Sequence, residues 1–310
     1  VKKRNIYISV FVTSVEMNLE KEFTNDTLVN KLLKPKHHEK IECILNEELK
    51  EFKTIRELKK TKQITTGKNV SKKELSEIAT KTFNDVNNFF EINNESFPKI
   101  EQFSLLQKEK RHILAKYFTS NILIFSSAYL NATEMSNWAI PLIPASMMLF
   151  YAVRDHIERP TATYKKTKNQ EKITLSKFKK TNLVPIIAHE YTHHIQNLNN
   201  YLRYDLGIFI EGQARITDKH VANKYTIKEN NKAYLYKVLN RSVHELMSTY
   251  VWMSKELNKQ PNPQLTADPI FEYSDDIQYL SDNKIPSVHA LGNAYMSTHP
   301  QDQKIMKFIK

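Results

Sequence analysis

Leu183–Leu198 reads LVPIIAHEYTHHIQNL, and inside it stands His189-Glu190-Tyr191-Thr192-His193, an H-E-x-x-H pattern. Leu183, Ile186, Ile187 and Ile195 give the stretch the apolar lining of a packed helix. Pro185 suits a helical first turn, where a missing amide hydrogen costs nothing. Residues four apart share a helical face, so His189 and His193 can bring both imidazoles to one ion. Glu190 falls beside that face, placed to take a proton from water instead of binding the ion. Only three positions define the pattern, and the plainer reading is an amphipathic helix with hydrogen-bonded boundary histidines. Against that reading, a carboxylate set between two histidines on a buried helix is costly without partners.

A catalytic zinc normally takes three protein ligands and keeps one position open. Glu211 is the expected third ligand. It comes 18 residues after His193, enough chain to leave one helix, turn and return on a second beside it. Ile208, Phe209 and Ile210 precede it, and a charge after such a run needs compensation. Asp205, Asp218 and His220 are weaker alternatives, and a capping or salt-bridged glutamate is the bland one.

With these residues the chain resembles the gluzincin group of zinc metallopeptidases, whose signature is H-E-x-x-H on one helix and a glutamate on a later one. The matching residues are His189, Glu190, His193 and Glu211, and Glu211-Gly212-Gln213-Ala214 is similar to the small-residue context of that glutamate. The resemblance covers residues 189–211. It implies Zn²⁺ on His189, His193 and Glu211, with Glu190 as general base in the hydrolysis of a peptide or protein substrate. It also implies an α+β, predominantly helical fold with a zincin-like catalytic domain, in which an edge strand binds the substrate backbone. The group commonly brings a tyrosine or histidine from the C-terminal region to the oxyanion. His289 and then Tyr295 are expected here; both lie on Ser287–Met296, SVHALGNAYM, six residues apart, so only one can face the metal.

Two departures qualify the match. The longer signature H-E-x-x-H-x-x-G-x-x-H needs glycine at 196 and histidine at 199, where this chain has Gln196 and Asn199. Many gluzincins carry an acidic residue one turn after the ligand glutamate; Arg215 stands there, so Asp218 or Asp205 is expected to support a zinc histidine. A zincin-like module that binds or assembles without turnover is the alternative to a peptidase.

Composition narrows the classes. Charged residues make up 26% of 310, and only four glycines occur, which argues against nucleotide-binding glycine loops and suits a helix-rich chain. Mean hydropathy is -0.54, that of a soluble chain without the profile of overall disorder. The net charge of +12 comes mainly from lysines scattered among glutamates and asparagines. No arginine-rich helix or zinc-finger spacing appears, so specific nucleic-acid binding is not expected. Cys43 is the single cysteine and leaves no intrachain disulfide or cysteine metal cluster. Ile6–Val15 after Lys2-Lys3-Arg4 reads as a buried strand or first turns of a packed element, with a weak secretion signal as the alternative. A cytoplasmic chain without a transmembrane segment is expected, since Trp138–Val153 is too short and carries Pro141 and Pro144.

The expected organisation is a mostly helical N-terminal lobe at 1–116 and a catalytic domain at 117–310. The latter divides into a β-containing part at 117–182, the motif helix at 183–199 and a helical part at 200–310. Helices are expected around Leu28–Leu33, Ile41–Leu58, Leu75–Val86 behind a Ser71/Glu74 capping box, and beyond Pro98 through Ile113. Asn121–Leu130 reads as strand, and Asn137–Leu149 as a sheet edge. Lys165–Lys180 reads as exposed loop or edge strand. Ala233–Glu256 and Ser287–Met296 complete the helices, the second small enough to approach a neighbour closely. His37, His38 and His112 read as ordinary polar positions, and His194 points away from the ligand face.

Overall fold

A computed structural model describes residues 21–102, 119, 126, 162–166, 170–175, 179–266 and 285–308. Two compact units divide the chain: Val1–Ile100 with Tyr164–Ile173 and Phe178–Lys310, and Glu101–Thr163 with Thr174–Lys177. Nearly all the described residues belong to the first. Its elements are α1 (Asn25–Leu32), α2 (Pro35–Lys60), α3 (Lys72–Phe90), α4 (Lys180–Leu198), α5 (Gly207–Glu229), α6 (Ala233–Glu256), the single turn α7 (Pro263–Thr266) and α8 (Val288–Thr298). Strands β1 (Lys99–Gln102), β2 (Ala162–Lys166) and β3 (Glu171–Leu175) form one sheet in the order β1-β3-β2. The described chain is therefore α+β and predominantly helical. No helix among the described residues is long and apolar enough to cross a membrane.

Local chemistry sets the helix ends. Ser71 and Glu74 close a reciprocal capping box on α3, and Ser287 caps α8 through Ala290 N at 3.2 Å. Pro35 opens α2 at its first turn. The start of α5 has no cap of its own; Asn25 from α1 reaches over, its Oδ1 accepting from Ile208 N at 3.0 Å while its Nδ2 donates to Tyr204 O.

Helix α5 lies against α4, α6 and α8, so its side chains face the motif helix on one side and α8 on another. The crossing with α8 is made by glycines. A Cβ on Gly212 would sit 2.4 Å from the carbonyl oxygen of Gly292, a main-chain atom that cannot swing aside. Gly212→Ala is therefore expected to cost about 1–3 kcal/mol, the range for overpacking a fitted interior. Urea unfolding of the variant measures it; an unchanged midpoint would mean that the helices separate freely.

Tyr191 of the motif helix docks α4 on α3: its ring lies 4.2 Å from that of Phe83 between centroids, and its hydroxyl donates to Asn87 Oδ1 at 3.0 Å. Helices read from sequence as an N-terminal lobe thus share a compact unit with the motif helix.

Several local expectations are corrected. Helix α4 begins at Lys180, a turn before Leu183, so Pro185 is inside it and removes the amide that Thr181 O would accept. Pro98 precedes a strand, not a helix, over Lys99–Gln102. Lys165–Lys180 is not all loop or edge. Within it β3 is the central strand, and Ile173 and Leu175 are fully buried. Ser126 is helical where a strand was expected, since short apolar runs read equally as buried helix. The remainder of Asn121–Leu130, together with Ile6–Val15, His112, Phe103–Ile113 and Trp138–Val153, lies outside the described residues.

His37 and His38 are buried near the start of α2 rather than solvated. His38 Nε2 meets Ser254 Oγ at 2.9 Å, and the His37 ring lies 4.5 Å from that of His299. Burial first, and then the charge of His299 and nearby lysines, lowers the pKa of His37 to about 4. Between about pH 4 and the ordinary histidine value near 6.5 the unfolded chain therefore binds more protons at this residue than the folded one. This residue's effect is an acid destabilisation that sets in below pH 6.5 and levels off below 4. His37→Gln should flatten that part of a melting-temperature profile, and an unaltered slope would assign the proton elsewhere.

Candidate metal centre

His189, His193 and Glu211 come together where α4 and α5 pack, forming a cluster that could chelate a metal. Spacing on α4 aligns the imidazoles, whose rings stand nearly perpendicular with Nε2 atoms 3.3 Å apart. The Glu211 carboxylate faces both: Oε2 lies 3.5 Å from His189 Nε2, and Oε1 lies 3.7 Å from His193 Nε2. His220 is elsewhere, its ring beside Phe89. Asp205 is half exposed in an ion pair with Arg203.

The surroundings decide which nitrogen of each ring is free. His193 Nδ1 lies 2.7 Å from Gln196 Oε1, and the same amide's Nε2 donates to Ile210 O at 2.8 Å and to Gln213 Oε1 at 3.2 Å. With its nitrogen thus engaged, Gln196 offers only oxygen to His193. Nδ1 must then carry the proton, and the Nε2 lone pair faces the cluster. Behind His189, Nδ1 lies 3.5 Å from Asp218 Oδ2. Arg215 NH1 stands at the same 3.5 Å from this Nδ1, but the hydrogen bond that acts on the ring is the one to Asp218; a proton on Nδ1 toward that carboxylate leaves Nε2 free.

Two lone pairs and a carboxylate converge with no donor among them. Glu211 Oε2 is buried and, among the described residues, no donor meets it in hydrogen-bond geometry, although His289 Nδ1 stands 2.7 Å away. Such a donor set suits a cation. Burial raises the pKa of Glu211, but the adjoining His189 and His289 rings and the charge of His193 outweigh it, holding the carboxyl well below its usual range. Burial and Arg215 lower that of His189, yet Asp218 and Glu211 bring the net shift upward. Burial, then His189, lowers that of His193.

Glu190 does not join the three. Its Oε2 accepts the main-chain N–H of Tyr164, in β2, at 2.7 Å. His289, at the start of α8, reaches the cluster through the contact with Glu211, its side chain about half exposed. Tyr295 does not reach it: fully buried, its hydroxyl donates to Asp302 Oδ2 at 2.7 Å and its ring stacks on His299. His194 points to the opposite side of α4, with Nε2 2.8 Å from Ser96 O and Nδ1 2.7 Å from Glu171 Oε2.

Arg215 fills the place of an acidic residue with a buried guanidinium. NH2 lies 2.8 Å from Glu245 Oε1 and 3.3 Å from His289 Nδ1, and NH1 is 3.7 Å from Asp218 Oδ2. Burial raises the pKa of Glu245 to about 6 against the pull of Arg215 and Arg241. Gln196 and Glu245 carry no signature that sequence reading picked out. The signals were a glutamine three residues after His193 and a carboxylate between the apolar Val243 and Leu246-Met247 of one helix. Comparison with protein-family models, curated proteins and solved structures returns no match.

Proposed function

We propose that the chain is a zinc-dependent peptidase of gluzincin type, with His189, His193 and Glu211 as ligands and Glu190 as general base. One observation carries this reading. Donor atoms about 2.0–2.1 Å from a tetrahedral ion stand roughly 3.3 Å apart; the two imidazole Nε2 atoms here are 3.3 Å apart, and the Glu211 carboxylate lies across from both, Oε2 3.5 Å from His189 Nε2 and Oε1 3.7 Å from His193 Nε2. An N₂O set of this kind suits zinc with one position open.

Held there, zinc supplies Lewis acidity to a water and to a carbonyl oxygen. Gln196 and Asp218 keep both ligand rings in the tautomer that leaves Nε2 unprotonated. Glu190, not spent on the ion, takes a proton from the attacking water and passes it to the departing amine nitrogen. Tyr164 N–H fixes that carboxylate at one oxygen. His289, half exposed beside Glu211, is placed to donate to the oxyanion that develops as the carbonyl is attacked. Strand β2 is an edge of the described sheet, and an extended peptide adds to such an edge by main-chain hydrogen bonds.

The test is digestion of a peptide library read by mass spectrometry, with the native, chelated and zinc-restored protein at matched concentration. Cleavage that disappears with chelator and returns with zinc is expected. Cleavage insensitive to both treatments would refute the proposal. Zinc binding without cleavage of any peptide would favour a binding or assembly module.

A further inference from the structure

His289 Nδ1 faces two groups with opposite demands. Glu211 Oε2, an acceptor, lies 2.7 Å away, and Arg215 NH2, a donor, lies 3.3 Å away. One ring nitrogen cannot serve both: a carboxylate requires a proton on Nδ1, and a guanidinium, which only donates, requires a lone pair. Which demand prevails decides where the ring carries its proton.

We propose that Arg215 is a positioning residue for His289, donating to Nδ1 so that the ring holds its proton on Nε2 and presents that N–H to the oxyanion. The inference rests on the peptidase reading for the use made of the N–H, though not for the hydrogen bond itself. Although Glu211 Oε2 is nearer, it lies outside the hydrogen-bond geometry of Nδ1, whereas the Arg215 contact at 3.3 Å satisfies it.

Arg215 is built to hold that place. Its side chain is 10% exposed, and the same NH2 that meets His289 is fixed at 2.8 Å by Glu245 from α6. Planar guanidinium geometry then fixes NH1 on the side of Asp218, 3.7 Å away. His289 is 48% exposed, and Nδ1 is the ring atom turned toward Glu211 and Arg215. An acidic residue at 215 would demand a proton on Nδ1 and leave Nε2 without one. The arginine therefore gives a half-exposed histidine the tautomer that an oxyanion donor needs.

The experiment uses the full chain loaded with zinc and labelled with ¹⁵N at histidine, the His289 signals being assigned with His289→Gln. The ring nitrogen shifts report directly which atom is protonated, without any substrate. In the wild type, Nδ1 is expected bare and Nε2 protonated; in Arg215→Gln the Nδ1–H form should appear, and Arg215→Lys should restore part of the Nε2–H form. In peptide assays Arg215→Gln should lower kcat by about 10–100-fold, the usual scale for losing an orienting partner behind a functional histidine, with KM little changed. A wild-type spectrum with the proton on Nδ1 overturns the proposal, even if no Arg215 variant folds. Unchanged tautomer and kcat in a folded Arg215→Gln overturn it as well. An arginine-dependent Nε2–H form in a protein that cleaves nothing supports the hydrogen bond and overturns its catalytic use, which separates this failure from that of the ligand assignment.

Discussion

Exchanging Glu190 for glutamine should leave zinc bound and lower peptide hydrolysis by about 10²–10⁴-fold, the contribution expected of general acid–base help. The carboxylate stands outside the His189–His193–Glu211 cluster, so the ion loses no ligand. Glutamine has nearly the same size, and its amide oxygen can go on accepting the Tyr164 N–H that now meets Oε2. What it lacks is basicity. Zinc content and kcat/KM measured on the same preparation separate the two roles. Zinc lost along with activity would make Glu190 a ligand; activity retained would place the base elsewhere or reveal a contaminant.

The second large effect concerns the ion. His189→Ala or His193→Ala should remove most bound zinc after dialysis, and Glu211→Gln should weaken binding strongly. Asp218→Asn should be milder, about 10–100-fold, because it disturbs only the orientation and basicity of His189. Asp205→Asn should do nothing measurable, since Asp205 pairs with Arg203 at the surface. A competition titration with a chromogenic chelator ranks the set. An Asp205 effect larger than that of Glu211 would break the ligand assignment.

The parts legible in the sequence were those set by short-range geometry. Four-residue spacing put His189 and His193 on one face, Ser71 and Glu74 announced a capping box that formed, and Ala233–Glu256 is a helix at those bounds. Glu211 was reachable because a charge after Ile208-Phe209-Ile210 needs a partner. Asp218 could be named only as one of two supports, since choosing it over Asp205 depends on the turn between α4 and α5. Tyr295 and His289 were indistinguishable as letters. Depth in the α8 interface separates them, because Tyr295 is directed to Asp302 and His289 to Glu211. Long-range pairings were illegible for the same reason: nothing local tells that Tyr191 will seat on Phe83, or that Glu245 will hold Arg215.

Gln196 has a consequence for how the protein would respond to heat. One side-chain amide orients His193 by its oxygen and grips Ile210 O and Gln213 by its nitrogen, so the candidate ligand and the α4–α5 seam share a single clamp. Occupancy of the centre and cohesion of the helices are then two readings of the same equilibrium. An ion that binds only the closed seam raises the melting temperature with its concentration. A dye-based melt could therefore serve as a metal sensor before any substrate is known. Loss of Gln196 should blunt that response even where the ion still binds.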